Sequence, residues 1–252
     1  MQHAGVRRGH SEILVGIDWT ILPGQNWLVL GPNGSGKTTL LSLAGATAHP
    51  TSGTVEVLGR RLGSSDLRSL RARIGIASPA LARELRSDMT AEEVVLSGFQ
   101  GALETWWHDY SYHERSLARA ALARAGLAGR ADHELRTLSS GELRKVQIAR
   151  ALAPDPEFLL LDEPASGLDL GSREELLARL ATLLTSGPPV VMVTHHLEEI
   201  PPGITHLLML SAGRVTCQGP LEVCLTDRSL SECFGLDLAV HRIGDRWSCS
   251  AR

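Results

Sequence analysis

The chain has 252 residues, 43% of them hydrophobic and 21% charged, which suits one large globular domain or two closely joined lobes. A formal net charge of -3 lacks the basic excess of a general nucleic-acid binder, so no direct nucleic-acid binding is expected. Cys217, Cys224, Cys233 and Cys249 match no zinc-ribbon or CxxC spacing and read as reduced thiols of a cytoplasmic protein.

From the N-terminus, Met1 to Arg8 lack the apolar core of a signal peptide, and no apolar run of the chain approaches bilayer length. A membrane-spanning part would therefore come from another subunit. Gly16 to Ile21 and Thr54 to Leu58 alternate in hydropathy, which predicts a flanking antiparallel sheet. Asn26 to Leu30 is a short apolar run, and Lys37 to Ala44 reads as a helix. Between them, Gly31-Pro32-Asn33-Gly34-Ser35-Gly36-Lys37-Thr38 fits G-x-x-x-x-G-K-[ST] in the strand–loop–helix context that this phosphate loop requires. Glycines let successive N–H groups turn toward phosphate oxygens, and the helix N-terminus adds partial positive charge. Lys37 is expected on the β/γ-phosphates, and Thr38 offers its hydroxyl to Mg²⁺. Lysine occurs only at Lys37 and Lys145 in a chain otherwise rich in arginine; at Lys37 a compact ammonium fits where a planar guanidinium would not.

Arg73 to Ala77 reads as a strand leading to Ser78-Pro79, and from Pro79 to Ala153 the pattern is mainly helical. Thr90-Ala91-Glu92-Glu93 has capping-box spacing ahead of Val94, Val95 and Leu96. Tyr112 to Ala125 reads as an amphipathic helix closed by Gly126. Trp106 and Trp107 either pack within this helical region or present an aromatic anchor to a partner. Leu138-Ser139-Ser140-Gly141-Glu142 precedes a helix from Leu143 to Leu152, where Ser139 alone would read as an ordinary N-cap. Phe158 to Leu161 is a buried strand that delivers Asp162 and Glu163 to the C-terminal edge of a parallel sheet. Asp162 would hold Mg²⁺, and Glu163 would orient and deprotonate the attacking water. Val190 to Val193 is a further strand, while Gly213 to Val215 and Arg242 to Trp247 suggest late strands or a hairpin.

Five motifs in this order resemble the ATP-binding-cassette (ABC) family. They are the phosphate loop, a signature at Leu138 to Glu142, the Asp162-Glu163 pair about twenty residues later, a D-loop at Ser166-Gly167-Leu168-Asp169, and a switch histidine at His195. The resemblance implies an α/β fold with a P-loop NTPase (RecA-like) core, a flanking antiparallel β subdomain and an inserted α-helical subdomain. Residues 1–78 and 154–252 would form the core and β lobe, and residues 79–153 the helical signature subdomain, of one ABC ATPase domain. It further implies a homodimer that sandwiches two ATP molecules head to tail, working with a transmembrane permease at the inner face of a membrane. Residues Gly31 to Thr39, with Thr39 included, would bind ATP in one subunit. Ser139, Ser140, Gly141, Glu142 and Asp169 would meet the ATP of the other. Lys37, Glu163 and His195 would be catalytic, and His196 would point away from His195, since adjacent strand residues face opposite sides.

The sequence departs from the family pattern at several positions. Ser140 and Glu142 stand where the usual signature L-S-G-G-Q has glycine and glutamine. Ser78 occupies the place of a glutamine that touches Mg²⁺ and relays nucleotide state to the permease; its hydroxyl could still bind a metal-bound water. A Ser-rich variant of this region resembles a subgroup of molybdate-transport or photorepair ATPases. Val6 to His10 offers no aromatic ring for adenine, leaving Arg8 or His10 to stack. The first strand reads as short, with its start expected upstream of Met1. The alternative function is a soluble ABC-class ATPase acting in a non-transport process such as DNA repair. A small-molecule kinase sharing the phosphate loop would leave the signature and D-loop unexplained.

Overall fold

The computed structural model describes residues 1–63, 67–100 and 108–252. Trp106 and Trp107 lie outside the described residues. The chain forms two compact units, one of residues 1–67 and 177–252, the other of residues 68–176.

The first unit opens with β1 (Gln2–Arg8) and β2 (Ser11–Ile17), followed by β3 (Trp27–Leu30), α1 (Lys37–Ala44), β4 (Ser52–Thr54), β5 (Glu56–Val57) and β6 (Arg60–Arg61). The second contains α2 (Leu67–Arg71), β7 (Ile74–Ala77), α3 (Pro79–Glu84), α4 (Ala91–Phe99), α5 (Tyr112–Arg124), α6 (Ser140–Leu152) and β8 (Phe158–Asp162). The chain then returns to the first unit along α7 (Leu170–Ser186). There it adds β9 (Val190–Thr194), β10 (His206–Ser211), β11 (Arg214–Pro220), α8 (Leu221–Cys224), α9 (Asp227–Phe234), β12 (Leu238–Ile243) and β13 (Arg246–Ala251).

In the first unit β3 lies between β10 and β9, parallel to both, and β11 runs antiparallel beside β10. Every residue of β3 and β9 is buried, as expected of parallel strands covered on both faces. The antiparallel layer is β2-β1-β4, and β5 pairs with β6. Its boundaries differ from the alternation of the sequence. The strand is Ser11–Ile17 rather than 16–21, because Gly16 turns to φ 59° and Asp18 leaves the ladder to accept a hydrogen bond from His3 N at 2.8 Å. The predicted strand Thr54 to Leu58 is divided between β4 and β5. β1 is not short: it runs for seven residues and turns into β2 through Gly9 at φ 59°.

In the second unit α4, α5 and α6 bury Val94, Val95, Leu96, Ala118, Leu122, Val146 and Ala149 against one another. Both α4 and α5 begin with complete capping boxes, Thr90 with Glu93 and Ser111 with Glu114, which satisfy N–H groups the helix itself cannot pair. Arg150 lies in this core, 6% exposed, and donates to Ser97 Oγ at 2.9 Å. Burial pushes its guanidinium pKa down to about 10. β7 and β8 pair in parallel from Ile74↔Phe158 to Ala77↔Leu161. No helix among the described residues is long and apolar enough to cross a membrane.

Candidate nucleotide site

The first unit carries the phosphate loop and the switch histidine. Leu30 and Thr194 are register partners on β3 and β9, so the loop and His195 leave neighbouring strands at one edge. Gly36 at φ 104° ends the loop, and α1 starts there with no side-chain cap. No capping side chain competes for this helix end, the kind of end that receives an anion. A Cβ at Gly31 would stand 2.0 Å from Leu210 O, and one at Gly36 2.8 Å from Leu14 Cδ2. Only glycine permits this path. Lys37 is 6% exposed, and its Nζ donates to Gly31 O at 2.8 Å and Pro32 O at 2.9 Å. The ammonium is thereby held along the loop rather than out in solvent.

Ser35 is buried and its Oγ has no hydrogen-bond partner. An unmet hydroxyl of this kind costs about 1–3 kcal/mol, and an oxyanion bound in the loop would relieve it. Asn33, Gly34 and Thr38 are exposed, Pro32 is half-buried, and Thr39 is buried. The loop therefore has the orphan oxygen, the uncapped helix and the inward lysine that suit a polyphosphate.

The His195–His196 prediction needs correction. β9 stops at Thr194, so strand alternation no longer governs the two rings. They lie 4.0 Å apart at 43°, with His195 half-buried and His196 exposed. The backbone here is fixed from beneath. Thr194 Oγ1 donates to Glu199 Oε2 at 2.5 Å, and His196 N donates to Thr194 Oγ1 at 3.1 Å. Arg246 Nη2, on β13, donates to Glu198 O at 2.6 Å. These supports carry no local sequence signal.

The second unit carries the acidic pair, Ser78, the signature and Asp169. Ala77 and Leu161 are register partners, so Ser78 and Asp162 follow them at one edge. Asp162 is 5% exposed. Glu163 is half-buried and sits at φ 46°, a left-handed backbone that costs a non-glycine residue roughly 1–2 kcal/mol. Strain of this kind persists where the surrounding structure over-determines the backbone, and His3, Ala46, Leu58, Asp155 and Ala212 share this left-handed range. Ser78 caps α3, its Oγ accepting from Leu81 N at 3.1 Å, with Pro79 at the first helical position. The cap uses one lone pair and leaves the hydroxyl proton for another partner.

Ser139 is the N-cap of α6, so the helix begins at Ser140 rather than Leu143. Ser139 Oγ accepts from Glu142 N at 3.2 Å, and Ser139 N donates to Glu142 Oε2 at 2.9 Å. Arg130 Nε pairs with Glu142 Oε1 at 3.0 Å, a partner that no motif spacing announces. A Cβ on Gly141 would lie 3.4 Å from Ser172 Oγ, and Ser172 in turn donates its N–H and hydroxyl to Asp169 at 2.9 and 2.7 Å. The signature and Asp169 therefore adjoin. The Ser172 N–H, then its hydroxyl, hold the Asp169 carboxyl below the usual carboxylate range.

A sequence model of the ABC transporter family matches residues 14–166. An ABC transporter ATP-binding protein of Streptococcus mutans is 35% identical over 98% of this chain and 95% of its own. The hemin import ATP-binding protein HmuV of Bradyrhizobium diazoefficiens is 32% identical over 96% and 90%. A dimeric ATP-binding cassette in a post-hydrolysis state with ADP and Pi superposes with a TM-score of 0.75 at 28% identity, covering 87% of this chain and 97% of that one. A metal-chelate type ABC transporter in an inward-facing conformation gives a TM-score of 0.78 at 25% identity, covering 98% and 94%. The relatives are of several kinds, a Nod factor export ATP-binding protein and the ABC transporter ATP-binding protein ModF among them, so the similarity shows the family without singling out a subgroup.

Proposed function

The chain belongs to the ABC transporter family as an ATP-binding, ATP-hydrolysing subunit, and from that premise we propose how its own residues divide the work. The loop Gly31 to Thr39 cradles the triphosphate, with Lys37 on the β/γ-phosphates. Thr38 and Asp162 would hold Mg²⁺, with Ser78 reaching it through water; the bound ion would neutralise charge on the phosphate oxygens. Glu163 orients and deprotonates the attacking water, and His195 contacts the γ-phosphate. Ser139, Ser140, Gly141 and Glu142 meet the triphosphate held by a second copy, and Asp169 lies at that interface.

The observation that carries this reading is the phosphate loop: a buried Ser35 hydroxyl without a partner beside an uncapped α1 and an inward Lys37. The working form is a homodimer closed by ATP and opened by hydrolysis, coupled to a transmembrane permease at the inner face of a membrane. The full-length similarity to transporter subunits favours this over a DNA-repair role. Replacing Glu163 by Gln should slow turnover roughly 10²–10⁴-fold while leaving ATP binding intact. Turnover per subunit should also rise with protein concentration at saturating ATP. A flat concentration dependence would refute the shared site, and near wild-type turnover in Glu163→Gln would remove Glu163 from the chemistry.

A further inference from the structure

The signature of this chain carries a charge that its proposed ligand should reject. Glu142 stands at the third position of α6, where a carboxylate is drawn by the helix dipole and by unpaired N–H groups. A triphosphate approaching the same helix end is drawn by the same field. A carboxylate in that field repels the triphosphate, and the repulsion is long-ranged where few counterions intervene. Glu142 is anionic at neutral pH as an ordinary glutamate is, and the Ser139 N–H, then the Ser139 hydroxyl and the charge of Arg130, hold its carboxyl further below the usual range.

The structure places an opposite charge against it. Arg130 ends the short 3₁₀ turn Ala128–Arg130 and pairs with Glu142 Oε1 at 3.0 Å. The other carboxylate oxygen holds the Ser139 N–H. Glutamine at this position would keep the bond to Ser139 without the charge, and Arg130 would then be an excess cation. The two residues are matched in charge.

We propose that Arg130 is a positioning residue for the nucleotide sandwich: its guanidinium cancels the Glu142 carboxylate, so that the signature helix accepts a triphosphate despite its acidic third residue. This rests on the assignment of residues 139–142 to the ATP of a second copy. An ion pair with Arg130 half-exposed adds little to fold stability, so the effect belongs to nucleotide-driven association rather than folding.

The test is a double-mutant cycle on the full chain at low ionic strength. Two quantities are followed: the ATP concentration giving half-maximal turnover, and the ATPγS concentration giving half-maximal dimer by sedimentation velocity. Arg130→Ala leaves a net negative signature and should raise both concentrations roughly five- to tenfold, with the shift shrinking in 0.5 M salt. Glu142→Gln leaves a net positive signature and should lower them or hold them level. The double variant should return both toward the wild-type values, and thermal midpoints should stay close across all four proteins. An Arg130→Ala defect that persists with Glu142→Gln, or that ignores salt, overturns the proposal. So does a silent Arg130→Ala. Ser139→Phe separates the two layers: if it blocks dimer and turnover while Arg130→Ala is silent, only the charge argument fails. If Ser139→Phe is itself silent, the signature assignment falls, and the proposal with it.

Discussion

Gly31 offers a sharp test of the phosphate-loop geometry. It follows β3 directly, and an ideal Cβ there would stand 2.0 Å from Leu210 O and 3.1 Å from Leu210 C. Real Cβ–oxygen contacts need about 3.2 Å, so Gly31→Ala must open the gap by roughly 1 Å. β3 and β10 are held by a parallel ladder in which Leu30 pairs with Met209, so the backbone cannot yield cheaply. Forcing one methyl into such a site costs about 3 kcal/mol, which lowers the thermal midpoint of a chain this size by roughly 6–12 °C. The same displacement passes into the loop that holds Lys37, and about 1 Å of misplacement is worth roughly 10²-fold in kcat/KM. Gly34→Ala, in the same loop, is the control for stability alone. Its φ is 79° but no heavy atom lies within 4 Å of the added methyl, so only left-handed strain of roughly 1 kcal/mol remains. Unfolding followed by circular dichroism and ATP turnover measured on both variants give the comparison. If Gly31→Ala melts within 2 °C or so of Gly34→Ala and turns over as fast as the unsubstituted chain, the close approach to Leu210 does not constrain the loop.

Three further outcomes follow from the same structure. Ser97→Ala removes the hydroxyl that receives the buried Arg150 guanidinium and should cost about 1.5–3 kcal/mol in urea denaturation; Ser97→Thr should recover part of it. Thr194→Val takes the hydroxyl from buried Glu199, should cost about 2 kcal/mol, and should lower kcat more than it raises KM by loosening the backbone that carries His195. The Asp169 carboxyl is held below its ordinary range by Ser172, so its contribution to stability is present above the unfolded pKa near 4 and is lost as pH falls through the folded value. Ser172→Ala keeps the N–H and loses only the hydroxyl, so it should reduce part of the acid limb of stability against pH, while leaving the slope from pH 6 to 8 unchanged.

The elements that sequence reading located well are those fixed by local chemistry. The phosphate loop is delimited by glycines that no other residue can replace. α4 and α5 start where Thr90 and Ser111 can cap them, and buried parallel strands announce themselves as unbroken apolar runs such as Phe158 to Leu161. Misplaced or missed features depend on what the chain meets elsewhere. β2 ends early because Asp18 is claimed by His3, fifteen residues away. The two histidine rings lie side by side because β9 has already stopped. Arg130 and Arg246 act on Glu142 and on the Glu198 carbonyl through a fold that brings distant positions together. Neither arginine sits at a spacing that any helix or strand periodicity would single out.

The terminal hairpin has a practical consequence for engineered versions of this chain. All five motifs end by His195, yet β13 grips the backbone three residues beyond it through Arg246, and Arg242 stacks over Trp247 at 4.9 Å to stiffen the ribbon. A chain trimmed after Gly235 would keep every motif while its histidine tether hung loose. Fusions and truncations are safer planned around the ribbon than around the last recognisable signature.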